Sequence, residues 1–232
     1  MKKIIVLILS AMMTISLCSC SSSIKQNKYV ETAEKYGVYS IFNVTYGMSL
    51  EECIKELSVD KKDIKMINAD ELEDDYKNLD VQAFSSNLKL FNKDVIAYFY
   101  IFGDLTKTGN EIGLFDITVV FKDNISINDI VKELENDLET KKLSYKLDNT
   151  DSKQINFINN NSISTITDEA VKQKAKTLAN TMYGNMYKEP FSADKFPLDN
   201  INIISMDEKN LYRICFSGRL SSVVNISANK DI

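Results

Sequence analysis

The chain has 232 residues, 44% hydrophobic and 26% charged, with a formal net charge of −5 at pH 7. That acidic balance excludes a nucleic-acid binder working by phosphate neutralisation, and it makes the surface a poor electrostatic partner for anionic lipid. Histidine is absent, which excludes Ser–His and Cys–His catalysis and histidine-ligated zinc, and removes the usual neutral-pH acid–base residue.

The chain opens on a processing signal. Lys2 and Lys3 form a short positive region, and Ile4 to Leu17 form an apolar run broken only by small hydroxyls. That run is too short to span a bilayer as a lone helix. Leu17-Cys18-Ser19-Cys20 follows, then Ser21-Ser22-Ser23 and a polar stretch to Lys28. Loss of residues 1–19, with Lys2 and Lys3, takes the charge from −5 to −7. Residues 20–28 have little apolar surface to bury and read as a tether.

Leu17-Cys18-Ser19-Cys20 resembles the lipobox of bacterial lipoproteins, an aliphatic residue and two small ones before the lipidated cysteine. Cys18 stands where Ala, Ser or Thr is usual. The resemblance implies diacylglyceryl transfer to the Cys20 thiol, cleavage before Cys20, and a chain held by lipid at the outer face of the bacterial cytoplasmic membrane. Two acyl chains suffice for stable anchoring. The plainer alternative is an ordinary secretory peptide cut nearby, with Cys20 a free thiol.

Behind the tether, Tyr29 to Lys35 is predicted helical, with Gly37 as its C-cap. Val38 to Tyr46 is rich in β-branched and aromatic residues and reads as a strand. Ser49 and Glu52 then make a capping box, with Met48 and Cys53 at the staple positions. Leu50, Cys53, Ile54 and Leu57 follow on one helical face. The run Gly47-Met48-Ser49-Leu50-Glu51-Glu52 resembles the helix start of many small Gram-positive lipoproteins of unknown role. It is also loosely similar to helix starts in the β-lactamase inhibitory protein fold and in outer-membrane assembly lipoproteins. It implies no function here.

Asp70 to Asp80 is acidic, but it lacks the glycine of a calcium loop and reads as a solvated helix face or loop. From Val81 the chain turns to strands: VQAF, NLKLF, DVIAYFYIF and GLFDITVVF, separated by Ser85-Ser86, Asn-Lys-Asp and the loop GDLTKTGNE. This pattern predicts an antiparallel meander. Phe115, Ile117, Val119 and Phe121 share one face, with Asp116 and Thr118 on the other, so one side is packed and one is wet. Asp94 to Phe102 is apolar on both faces and is placed centrally. Ile127, Ile130, Val131, Leu134 and Leu138 stripe the next helix, over Asn124 to Lys142, with Ser126 as N-cap.

The polar stretch Asp148 to Asn161 reads as a loop and as the best domain boundary. Thr167 to Tyr183 is the third strongly patterned helix, with Val171, Ala175, Leu178 and Met182 inward, Lys172, Lys174 and Lys176 outward, and Gly184 as C-cap. NINIIS, LYRICF and SSVVNIS are predicted strands, the last two forming a hairpin through Ser217-Gly218-Arg219. No internal repeat of solenoid period is present.

Two cysteines remain beyond the anchor, Cys53 and Cys215. Both sit in apolar patterns and are read as buried free thiols in preference to a bridge, which needs a specific Cα separation. No nucleophile elbow, phosphate loop, dinucleotide fingerprint or Cys-x-x-Cys pair is present. Arg213 and Arg219 are the only arginines. They are candidate contact points for a partner, because guanidinium suits bidentate recognition. The bland alternative is two solvated strand residues. Tyr98 and Tyr100 are candidates for an aromatic platform on an exposed sheet face, although cross-strand packing under a helix is the more ordinary use.

The expectation is therefore an α+β fold, an antiparallel sheet with helices on one face. Residues 1–19 are signal peptide, 20–28 lipidated tether and 29–147 an α+β subdomain. Residues 148–232 are a second subdomain or the completion of the first sheet. The expected role is non-catalytic: a lipoprotein attached to the membrane through Cys20 that binds a protein or envelope component, with no cofactor, no metal and no nucleic acid. One alternative is a small-ligand-binding lipoprotein. Another is a histidine-free hydrolase of the cell envelope, using paired carboxylates or a Lys or Ser dyad.

Overall fold

A computed structural model describes residues 27–72, 81–102, 113–151, 154–183, 192–206, 211–218, 220–222, 225 and 229. The predicted signal peptide, Cys20, most of the tether, the acidic residues from Glu73 to Asp80, the GDLTKTGNE loop, the Met182 side chain, Gly184 and Arg219 lie outside the described residues.

The elements in chain order are α1 (Lys28–Lys35), α2 (Leu50–Glu56), β1 (Ile64–Ile67), β2 (Val81–Leu90), β3 (Lys93–Phe102), β4 (Gly113–Phe121), α3 (Ile127–Thr140), β5 (Tyr145–Asp151), β6 (Gln154–Asn159), α4 (Glu169–Tyr183), β7 (Asn200–Met206) and β8 (Leu211–Ser217). The strands form one antiparallel sheet in the order β1-β2-β3-β4-β8-β7-β6-β5. The fold is α+β, as the sequence predicts.

Local chemistry starts each helix. In α1, Asn27 accepts from the Tyr29 N–H, and the chain leaves the helix through Gly37 at φ +66°. That left-handed conformation suits glycine. In α2 the capping box is complete: Ser49 accepts from the Glu52 N–H, and the Ser49 N–H donates to Glu52 Oε2 at 2.8 Å. In α3, Ser126 accepts from the Asp129 N–H at 3.1 Å. The stripe of α3 buries Ile130, Leu134 and Leu138, and α4 buries Val171, Ala175 and Leu178. These side chains belong to the same core as the packed face of the sheet.

One register row carries that core across the sheet. Met66, Phe84, Phe99, Ile117, Phe216, Ile201, Phe157 and Leu147 face one another in turn. The six inner members are buried, whereas Met66 and Leu147, on the two edge strands, are 49% and 43% exposed. Phe84 stacks on Phe99 with ring centroids 4.6 Å apart, and Tyr39 stacks on Phe216 at 5.4 Å.

The chain does repeat, at a longer period than a solenoid. β1–β4 and β5–β8 are two four-strand meanders that meet through β4 and β8. Each is preceded by a serine-capped helix. Ser49-Leu-Glu-Glu-Cys-Ile-Lys-Glu-Leu57 aligns with Ser126-Ile-Asn-Asp-Ile-Val-Lys-Glu-Leu134 at an offset of 77 residues. The second copy carries α4 between its second and third strands, where the first has only the Phe91-Asn92 turn.

Several expectations are corrected. Val38 to Tyr46 is not a strand. Phe42 and Asn43 both have positive φ, and Ile41 and Val44 close a two-residue turn around them. Most of this segment is buried as irregular chain, joined to β4 through Gly47 N–H to Leu114 O at 2.8 Å. Ser85-Ser86 does not separate two strands. Both serines are buried inside β2, which runs unbroken opposite β3. Asp148 to Asn161 is largely not a loop: it holds the end of β5 and all of β6, a hairpin inside the single sheet. Asp148 and Asn156 lie opposite each other on the face away from Phe157, and Asn159 is buried in a hydrogen-bond cluster, so polarity here does not report the absence of a strand.

The described residues of SSVVNIS, Ser221, Ser222 and Asn225, are not in a strand either. Leu220, Ser221, Ser222, Asn225 and Asn229 are helical, and Asn225 Nδ2 donates to Tyr46 O at 2.8 Å. The terminal hairpin is therefore β7–β8, and Ser217-Gly218-Arg219 leads out of the sheet.

Candidate functional site

The face of the sheet opposite the core holds a groove of about 620 Å³. Its floor comes from alternate residues of adjacent strands: Ser85 and Asn87 of β2, Ile96, Tyr98 and Tyr100 of β3, Thr118 and Val120 of β4, and Arg213 of β8. Register places Ser85 opposite Tyr98, Tyr98 opposite Thr118, and Val120 opposite Arg213. Ile67, Lys65, Glu71 and Leu72 make one rim, where Lys65 and Glu71 are paired at 3.2 Å, and Met206, 37% exposed, completes the lining.

The alternation of β3 explains the floor. Val95, Ala97, Phe99 and Ile101 point into the core, so Ile96, Tyr98 and Tyr100 must point the other way. Among the described residues no helix of eight or more residues lines this groove. The expectation that Tyr98 and Tyr100 pack under a helix is thus corrected: the helices cover the Phe99 side. Tyr98 is half-buried and Tyr100 is buried at 5% exposure.

Arg213 is brought to the groove and Arg219 is outside the described residues. Neither Cys53 nor Cys215 is in a disulfide. Cys53 is the buried residue of α2, and burial pushes its thiol well above the ordinary range. Cys215 is half-buried and lies on the open face beside Thr118, so it is not the core residue the apolar pattern predicts. No group of three or more Cys, Asp or Glu able to hold a metal occurs among the described residues. No helix among them is long and apolar enough to cross a membrane.

A second polar cluster was invisible in the sequence. Asp199 is buried between the start of β7 and the segment after α1. Tyr145 OH donates to Asp199 Oδ2 at 2.7 Å, and Asn159 Nδ2 donates to Asp199 Oδ1. The Tyr39 N–H lies 3.1 Å from Tyr145 Oη and 3.4 Å from Asp199 Oδ2. Asn159 also donates to Gly37 O at 2.9 Å. Burial pushes the Asp199 carboxyl up to about 6 against the pull of these donors. Asp199 and Asp116 line one cavity of about 350 Å³. Both Asp199 oxygens are engaged by the chain itself, so this cluster ties α1 and its exit to β5, β6 and β7. Only an Asp closing the short run Pro197-Leu198-Asp199 before a strand marks it in sequence.

The groove offers tyrosine and serine hydroxyls, an amide and one guanidinium around Ile96 and Val120. Tyr, Arg and Met are the residue types enriched at protein interfaces. The site is therefore a groove on the open face of an antiparallel sheet. No family model matches this chain, and no curated protein or solved structure matches it.

Proposed function

We propose that this chain is a non-catalytic lipoprotein, anchored through Cys20 at the outer face of the cytoplasmic membrane, that binds a protein partner across the open sheet face. The observation that carries this reading is the groove, where Tyr98, Tyr100, Arg213 and Met206 converge with four aliphatic side chains on a face that no described helix covers. Aromatic and guanidinium anchors at the centre of a patch dominate most interface energies. The anchor reading is supported by Leu17-Cys18-Ser19-Cys20 and the run before it. The −7 charge of the lipidated chain makes the acyl chains, and not surface electrostatics, the means of attachment.

The test is crosslinking on intact cells producing the tagged full chain, followed by mass spectrometry. One dominant protein is expected, with yield falling at least about fivefold in Tyr98→Ala and in Arg213→Ala, as loss of a hot spot predicts. Equal capture by wild type and both variants overturns the reading. Recovery of a cell-wall polymer in place of a protein assigns the face to an envelope component.

The groove volume favours a second reading, since about 620 Å³ falls within the range of small-molecule sites. A metabolite screen by thermal shift tests it, because a ligand of the folded state raises the melting temperature. A shift in wild type that is lost in Tyr98→Ala supports the small-ligand reading.

A further inference from the structure

We propose that β5 is a self-pairing edge, and that two copies of this chain join antiparallel through Tyr145–Asn149 about a two-fold axis at Leu147. β5 ends the sheet, and among the described residues only β6 pairs with it. An unpaired edge presents a row of N–H and C=O groups that another strand can satisfy. Pairing with β6 runs in register from Tyr145 to Asn149 and shifts between Asn149 and Asp151. The regular stretch is thus centred on Leu147.

Three features choose a second copy as the occupant. Leu147 closes the core row at 43% exposure, next to fully packed Phe157. Antiparallel pairing centred on it sets Leu147 against Leu147 and extends that row into the second molecule. The same register sets Lys146 opposite Asp148 of the second copy, twice over, since a two-fold axis repeats every contact. Opposite charges directly across a strand pair are favourable and like charges unfavourable.

The other edge shares the exposed end of the core row, at Met66, but neither the length nor the charge complementarity. β1 has four residues between two 3-10 turns, Lys61–Asp63 and Ala69–Glu71, and its Lys65 is already paired with Glu71. Centring a pair on Met66 would set Lys65 against Ile67. Short length and an edge lysine are the usual protection of such strands.

A five-residue pairing buries little area, so the dimer is weak in dilute solution and is best trapped where it forms. The experiment is oxidative disulfide trapping in cells producing the full chain with Leu147→Cys, since directly opposed residues bring their Cβ atoms within about 5.5 Å. A species of twice the chain mass is expected on non-reducing gels, in yield well above a Lys132→Cys control at an exposed site on α3. Adding Lys146→Asp should lower that yield severalfold by opposing two aspartates, and adding Asp148→Lys to it should restore it. Circular dichroism of the single variant, unchanged from the parent, separates lost pairing from lost folding. A Leu147→Cys yield equal to the control, a yield indifferent to Lys146→Asp, or a disulfide to a different protein each overturns the proposal. Heterologous pairing of β5 with β1 puts no cysteine opposite position 147, so it would give only the control yield and overturn the proposal.

Discussion

Asp199 shows how far one side chain's state depends on its surroundings. In an unfolded chain its carboxyl titrates near 3.8, and in the fold burial raises it to about 6. The folded state then holds the proton more tightly than the unfolded state between these two values. Stability from this group is therefore present below about pH 4 and is lost as pH rises through 6. A difference of about two pKa units corresponds to about 3 kcal/mol. Asp199→Asn keeps an acceptor for Tyr145 but cannot ionise. Denaturant unfolding of both proteins from pH 4 to pH 7 should show the stability gap moving by about 3 kcal/mol in favour of the variant. A constant gap would mean that Asp199 ionises as freely in the fold as in the unfolded chain. Gly218 is the other residue fixed by its neighbours: a Cβ there would lie 2.3 Å from the buried Tyr46 ring. Nothing in Ser217-Gly218-Arg219 distinguishes that close approach from an ordinary turn glycine.

At the scale of elements, helices were legible where a cap and a stripe agreed. Ser49 with Glu52, and Ser126 with Asp129, each satisfy backbone N–H groups that the first turn leaves unpaired. Ser49→Ala and Ser126→Ala should each cost about 1 kcal/mol in chemical denaturation. The double variant should lose about the sum, because the two caps serve separate helices. A double variant no weaker than either single would show the caps to be redundant. Strands were less legible. β4 announces itself by alternation and β3 by an apolar and aromatic run, but the β5–β6 hairpin does not, because polar residues interrupt its pattern on both strands. The segment 38–46 fails for the opposite reason. Its β-branched and aromatic residues serve the core as irregular chain, and the reversal at Phe42-Asn43 demands positive φ at a phenylalanine, which composition disfavours. Phe91-Asn92 makes the same turn between β2 and β3, so this dipeptide forms two tight reversals among the described residues of the first half.

For the whole molecule, one sheet joins both halves, and the core row passes through the β4–β8 ladder without a break. A boundary near Asp148 would cut through β5. Separate unfolding of residues 29–147 would expose Ile117 and Phe99, so the two halves are expected to melt together. Far-ultraviolet circular dichroism and near-ultraviolet tyrosine signals should give coincident transitions, and two resolved transitions would show that the halves are independent. The sequence by itself determined the class of fold, the capped helices, the packed face of β4 and the composition that excludes histidine chemistry. These depend on periodicity and on residues close along the chain. It also supplied the two side chains, Tyr98 and Arg213, that the structure gathers into the groove. Only the tertiary structure decided that they share a face, since one comes from the first meander and the other from the last strand, with β4 between them. It likewise decided the doubled topology, the Asp199 cluster and the exposed end of the core row at Leu147. Those are consequences of strand order, which local physical chemistry leaves open and which long-range burial resolves.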